Sequence, residues 1–239
     1  MKLIPKVKSK DVREKNKSVL SGDSKFAIVE GYKIARTNLV FSMVAENNNC
    51  FAVTSWSKGE GKSTATVNLA ISFAKMGKKV LLIDTDLRRP NIHNLLKLKN
   101  EVGLSELIGQ FCDIEDAINE NAIPCLDVLS SGTIPPNPSE LIGSSSFSQL
   151  MAEFKDRYDY IILDTAPIGV VADTLLLKDY VAGYVLVVRE KVTSHGDIEK
   201  TLQNIKLADS KVLGFLKVGC SLKDRKYYNK ANYGYYKYY

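Results

Sequence analysis

The strongest chemical signal in this 239-residue chain is Ser57-Lys58-Gly59-Glu60-Gly61-Lys62-Ser63-Thr64. Glycines let successive backbone N–H groups turn inward on phosphate oxygens. A helix opening here adds its partial positive charge, Lys62 can reach β and γ oxygens, and Ser63 can bind Mg²⁺. The general G-x-x-x-x-G-K-S/T pattern is incomplete, because Trp56 stands where its first glycine would be. Two apolar runs end in carboxylates: Leu81-Leu82-Ile83-Asp84-Thr85-Asp86-Leu87-Arg88, and Ile161-Ile162-Leu163-Asp164. One aspartate after an apolar run is as readily a turn or helix cap as a ligand. Three of them with Lys62 and Ser63 form a set able to hold Mg²⁺ against a triphosphate and to take a proton from a nucleophile.

The elements around these residues are those the chemistry requires. Continuous apolar runs over 50–55, 80–84, 126–130, 160–164, 183–188 and 212–218 read as strands covered on both faces. Helical patterns separate them: 62–76 closed by Gly77, a segment after Pro90, 146–154, 174–178 and 197–207. Strand and helix in alternation predict an α/β fold, a mostly parallel central sheet with helices on both faces. The phosphate loop then leaves the first strand and opens the first long helix, and the aspartates fall at the sheet edge where open α/β folds bind ligands. An amphipathic helix over 27–43 precedes the first strand, and Pro135-Pro136-Asn137-Pro138 makes a rigid turn before a short helix at Ser139.

Composition excludes several classes. Hydrophobic residues at 45% and charged residues at 25% describe a globular chain able to bury a sizeable core without disulfides or metal. Cys50, Cys112, Cys125 and Cys220 show no C-x-x-C spacing, which argues against zinc, redox chemistry and a secreted disulfide framework and places the expected compartment in the cytoplasm. No apolar run approaches the roughly 20 residues of a membrane span, and the first residues do not read as a signal peptide. The net charge of +6 is confined to the ends: residues 1–17 carry +5, residues 221–239 carry +4, and the rest carries −3. A basic surface for specific nucleic-acid recognition is not indicated, and the two basic ends read as flexible segments able to meet anionic lipid or an acidic partner. His93 and His195 are too few and too far apart for a metal pair. The expected organisation is a basic segment over 1–22, one domain over 23–220 and a tyrosine-rich tail over 221–239.

Two further patterns belong to this organisation. Seven of the twelve tyrosines, Tyr227, Tyr228, Tyr233, Tyr235, Tyr236, Tyr238 and Tyr239, lie in the last thirteen residues. Interrupted by Asn, Gly and Lys, they cannot form a core strand; phosphorylation, base stacking and protein contact are all open to them. Glu30, Lys33 and Arg36 recur at i, i+3 and i+6 on the first helix, a spacing suited to ion pairs within or between chains.

Together these motifs resemble the bacterial tyrosine kinases of the capsular and exopolysaccharide type (BY-kinases) in their split cytoplasmic form, a branch of the MinD/ParA-like P-loop ATPases. Residues 57–64 correspond to Walker A, 81–88 to Walker A′ (apolar residues, then D-x-D-x-R) and 161–167 to Walker B. The P-P-N-P-x-E-L turn over 135–141 and the tyrosine-rich end complete the likeness. The resemblance implies ATP and Mg²⁺ as cofactors, with residues 58–64 around the phosphates, Ser63 and Asp86 on Mg²⁺, Asp164 supporting the metal through water and Asp84 as the base. It implies autophosphorylation of the tail tyrosines in trans, other tyrosine-bearing protein substrates, and a homo-oligomeric ring, usually an octamer, formed through E-x-x-R-x-x-R. It also implies a transmembrane activator that holds the kinase at the inner face of the membrane, and a role in polysaccharide synthesis and export. The additional lysine of MinD/ParA proteins, five residues before the loop lysine, is Ser57 here, which leans away from the dimer-sandwich ATPases. Two positions depart from the kinase pattern: Lys33 replaces the first ring arginine, and Lys217-Val218 stands where the family often has Leu-Asn near the adenine. A non-kinase ATPase switch and a structural membrane adaptor are the rival readings.

Overall fold

The computed structural model describes residues 18–220; the basic segment over 1–17 and the tyrosine-rich segment over 221–239 lie outside the described residues. Seven strands form one sheet: β1 (Cys50–Ser55), β2 (Val80–Asp84), β3 (Ile118–Ile123), β4 (Leu126–Leu129), β5 (Tyr160–Asp164), β6 (Tyr184–Arg189) and β7 (Val212–Val218). Their order is β3-β4-β2-β5-β1-β6-β7, and every pairing is parallel except β3 with β4. The expected α/β sheet is therefore present. Antiparallel β3 is an addition: Ile-Asn-Glu-Asn-Ala-Ile is too polar to read as a buried strand, and it survives as an edge, paired only with β4. The segment at 174–178, expected to be helical, is a 3-10 turn over Asp173–Leu177 whose amide bonds reach back three residues, as in Leu175 N–H to Ala172 O at 2.9 Å.

Strands β1, β2 and β4 are buried throughout, as their unbroken apolar runs require, and the two faces of the sheet carry separate cores. On one face lie α1 (Phe26–Glu46), α2 (Lys62–Ala74) and α3 (Ile92–Leu96). Helix α2 is buried nearly all round because α1 covers the side turned from the sheet. Phe73 of α2 packs against Phe51 of β1 and Tyr160 of β5, with ring centroids 5.7 and 4.7 Å apart, which fixes the helix over the strands it must serve. The opposite face carries the short α4 (Leu104–Ile108), α5 (Ile114–Ala117) and α6 (Pro138–Ile142), then α7 (Ser145–Arg157) with Phe147 and Phe154 fully buried; α8 (His195–Leu207) adds Ile205. The proline turn opens α6 with Pro138 in its first turn, where a missing N–H costs nothing.

Sheet order explains how distant motifs meet. The three motif-bearing strands are neighbours, β2-β5-β1, and Asp84 on β2 is in direct register with Asp164 on β5. Parallel pairing puts all three C-terminal ends on one edge, so the phosphate loop and both aspartate runs emerge side by side.

Candidate active site

The loop after β1 carries Gly59 and Gly61 at φ +80° and +91°, left-handed values that a side chain would strain, and Gly61 opens α2 as its N-cap. Lys58, Gly59, Gly61, Lys62, Ser63 and Thr64 line a cavity of about 550 Å³. Lys62 is 7% exposed; its Nζ lies 2.9 Å from Asp164 Oδ1, 3.8 Å from Asp86 Oδ2 and 3.4 Å from Ser63 Oγ. Asp86 and Asp164, from two separate strand ends, thus converge on one ammonium.

Glu60, expected among the phosphate-binding residues, is placed otherwise. It is buried beneath the loop, where one carboxylate oxygen accepts the Ser57 N–H at 2.9 Å and the other accepts the Thr193 hydroxyl. Arg189 Nη1 donates to Gly59 O at 2.8 Å. The loop is therefore braced from the β6–α8 connection, by residues that no local motif announces. Trp56, in place of the pattern's first glycine, takes part in a second brace: its carbonyl accepts the Gly169 N–H at 3.0 Å, beside the Ile168 N–H to Ser55 O bond at 2.9 Å.

The three aspartates are not equivalent. Asp86 lines the cavity and is 6% exposed; burial raises its carboxyl above the ordinary range, against the opposing pull of Lys62. Asp164 is fully buried. Its Oδ1 receives Lys62 and the Thr66 hydroxyl at 2.8 Å, while Oδ2 has no protein partner. Asp84, expected as the base, stands behind the lining rather than in it. Its Oδ2 accepts the N–H groups of Asn91 and Ile92, both at 3.0 Å, at the start of α3, and its Oδ1 accepts Asp86 N–H at 3.2 Å. Burial first, and Asp164 second, push its carboxyl up to about 7. Thr66, missed by the motif, belongs to the set by its place one turn after Lys62, whose carbonyl its hydroxyl also bonds at 3.0 Å.

The donors suit a hard cation taken up together with phosphates. Among the described residues no three His, Cys, Asp or Glu side chains form a self-sufficient metal cluster. A hydroxyl, a cavity-lining carboxylate and an orphaned buried carboxylate oxygen are what Mg²⁺ uses when phosphates and water complete its shell. The set can therefore grip a nucleotide's terminal phosphates, with carboxylates at hand for a proton.

The same cavity is lined also by Asp86, Arg88, Arg89, Asn91, Ala166, Pro167, Val170 and Val171. Arg88 is gripped by Asp173, with Nη2 at 3.2 Å from Oδ1 and Nε on Oδ2, and Ser139 Oγ donates to the same Oδ1 at 2.6 Å.

The AAA domain family matches residues 49–217. The tyrosine-protein kinase YwqD of Bacillus subtilis is 40% identical over 87% of this chain and 85% of its own length. The chain belongs to the bacterial tyrosine kinases. Among solved structures, the kinase domain of the Escherichia coli tyrosine kinase ETK aligns with a TM-score of 0.77 at 33% identity, covering 80% of this chain and 75% of that one. The septum site-determining protein MinD of Pyrococcus horikoshii, complexed with Mg-ADP, shares the fold at a TM-score of 0.61 and 23% identity, covering 74% and 73%. The kinase family accounts for the ATP-binding loop. No helix among the described residues is long and apolar enough to cross a membrane.

The stripe on α1 is the remaining expectation that can be placed. Glu30 and Lys33 pair at 2.7 Å, but Arg36 turns inward, Nη1 donating to Ser72 O on α2 at 2.6 Å. Six residues at about 100° each put Arg36 roughly 120° around the helix from Glu30, so the three do not share one outward face. The tail tyrosines lie outside the described residues.

Proposed function

We propose that this kinase transfers the γ-phosphoryl group of ATP to tyrosine hydroxyls, first among them the cluster Tyr227, Tyr228, Tyr233, Tyr235, Tyr236, Tyr238 and Tyr239 of a neighbouring copy. The observation that carries the reading is the meeting of Lys62 with Asp86 and Asp164 in a kinase-family chain, at a cavity that Lys62 and Asp86 line together with the phosphate loop. The loop amides and Lys62 hold the β and γ phosphates. Ser63 and Asp86 would hold Mg²⁺, with Asp164 Oδ2 supporting the ion through water; bound there, the ion would neutralise charge on the phosphates. The phenolic oxygen forms the new bond to phosphorus in line with the breaking bond to the β–γ bridging oxygen, and ADP leaves. The phenolic proton passes toward Asp84 Oδ1, whose single N–H bond from Asp86 is its longest. Asp84 is fully buried behind the cavity lining, so substrate binding must bring that oxygen within reach.

The rest of the proposal concerns assembly. Tails meet neighbouring sites in a homo-oligomeric ring, octameric in the family pattern, with Glu30 and Lys33 at the contact and Arg36 supporting α1 from within. A transmembrane activator holds the kinase at the inner face of the membrane, where it regulates capsular or exopolysaccharide synthesis and export and can act on further tyrosine-bearing proteins. Each phosphate adds about −1.5 to −2 to the tail, so two or three cancel its +4 and more reverse it, which would drive the tail from an acidic site and loosen the ring. The test is incubation of the full chain with Mg-ATP beside Lys62→Met, read by intact mass and by peptide mapping of residues 221–239. Phosphate on tail tyrosines of wild type alone is expected. ATP hydrolysis that leaves every tyrosine unmodified, even with an activator segment supplied, overturns the reading in favour of an ATPase switch.

A further inference from the structure

One wall of the cavity has no part in holding phosphate. Pro167, Val170 and Val171 present apolar carbon to it, and Val170 is 64% exposed at the rim. Hydrocarbon beside a triphosphate binds nothing charged, yet this turn is held more firmly than an idle loop. Its start is tied to the phosphate loop through Ile168 N–H to Ser55 O and Gly169 N–H to Trp56 O. A Cβ on residue 169 would lie 2.5 Å from the Trp56 carbonyl and ring, so only glycine permits this approach. The turn closes on itself, Val170 and Val171 both donating to Pro167 O at 3.0 and 3.3 Å. Its far end is held by Asp173, whose grip on Arg88 is completed by Ser139 from the Pro-Pro-Asn-Pro turn. That turn, conspicuous in the sequence and unused by phosphate binding, thereby gains a task.

We propose that Pro167, Val170 and Val171 form the docking wall for the ring of the acceptor tyrosine, and that the Arg88–Asp173–Ser139 bridge holds the far end of this wall in place. The inference rests on the kinase reading and adds the residues that select the acceptor. Apolar side chains lining the same cavity as the phosphate loop suit an acceptor that is itself a flat apolar ring with one polar tip. A tyrosine hydroxyl stands a whole ring farther from its backbone than a serine hydroxyl. A peptide stopped at the Val170 rim can thus deliver a phenol to the γ-phosphate near Lys62, whereas a serine falls short. The occupant is a tyrosine side chain of segment 227–239, the aromatic-rich part of this chain that lies outside the described residues.

The experiment measures transfer from Mg-ATP to a synthetic peptide of residues 221–239 by the full chain, with nucleotide affinity followed separately by fluorescent-nucleotide binding. Val170→Asp is expected to raise the peptide KM by ~10-fold or more, because a charge replaces a contact made alike in ground and transition states, while nucleotide affinity stays within about two-fold. Val170→Ile should keep the wild-type KM, and Ser139→Ala should raise it by a smaller factor. An unchanged peptide KM in Val170→Asp overturns the proposal, as does an equal loss of nucleotide affinity, which would assign the wall to the nucleotide. Wild type that binds ATP and phosphorylates no tyrosine overturns the kinase reading itself, a result separate from either of these.

Discussion

The two walls of the cavity are built by opposite means. The phosphate side is one stretch of eight residues, shaped by its own glycines and the start of α2. The other side is collected from Arg88 after β2 and Pro167, Val170 and Val171 after β5, and it is held by Asp173, which stands 85 positions from Arg88 and 34 from Ser139 in the sequence. One wall is backbone, which recognises a phosphate that every ATP carries. The other is side chain, which can discriminate among acceptors. Damage to the first should fall on nucleotide handling and damage to the second on the acceptor, and the comparison is broken if the effects cross.

The largest effect belongs to Lys62. Lys62→Met should lower tyrosine transfer by ~10³-fold or more, since the γ-phosphate loses the cation that meets its developing charge. It should also destabilise the nucleotide-free protein by about 3–5 kcal/mol, because Asp164, fully buried, is left charged without its 2.9 Å partner. Thermal melting without nucleotide checks this. An unchanged melt would mean that the pair is not what holds the two strand ends together.

The second effect tests whether the backbone wall depends on a brace outside the motif. Glu60→Ala leaves the Ser57 N–H and the Thr193 hydroxyl without their buried acceptor, a loss worth about 1–3 kcal/mol. Nucleotide affinity should fall by roughly 10-fold, with peptide KM unchanged at saturating ATP. Thr193→Val should show the same direction to a lesser degree. If either variant alters the peptide KM instead, the loop and the acceptor wall are one structure rather than two.

How far this was legible in the sequence follows the same division. Residues 57–64 announced their wall because glycine, lysine and hydroxyl at fixed spacing are the chemistry itself, and the strand before and helix after are local. The parallel sheet was legible because unbroken apolar runs such as Val80–Asp84 fit only strands covered on both faces. Strand β3 was not, since Asn119, Glu120 and Asn121 have no apolar alternation and pairing with β4 alone holds the strand. The direction of the Glu60 side chain is not legible, because position in a motif says nothing of it. Its buried role needs Thr193, 133 residues away. Arg36 was misread because i+6 spacing carries a side chain too far round the helix to share an outward face with Glu30. The acceptor wall has no spacing at all, and only the sheet order makes it one surface.

The smallest effect concerns the bridge that holds that wall, and its sign can be worked out. Burial raises the Asp173 carboxyl, but hydrogen bonds from Arg88 and Ser139 outweigh burial, and the net result lies below the ordinary carboxylate value. A carboxylate depressed in the folded state contributes stability that is present above its unfolded pKa, about 3.9, and is lost as pH falls through the folded value. Asp173→Asn removes a group that titrates in this way, so the stability gap between wild type and variant should hold steady from pH 7 to about 5 and narrow below about 4. With Arg88 exposed on one side, the pH-dependent part should be under about 1 kcal/mol and should shrink further in salt. Urea unfolding of both proteins across this range reads the gap directly. A gap that widens on acidification would mean that Asp173 is held protonated by burial, and that Ser139 and Arg88 are packed against it without gripping it.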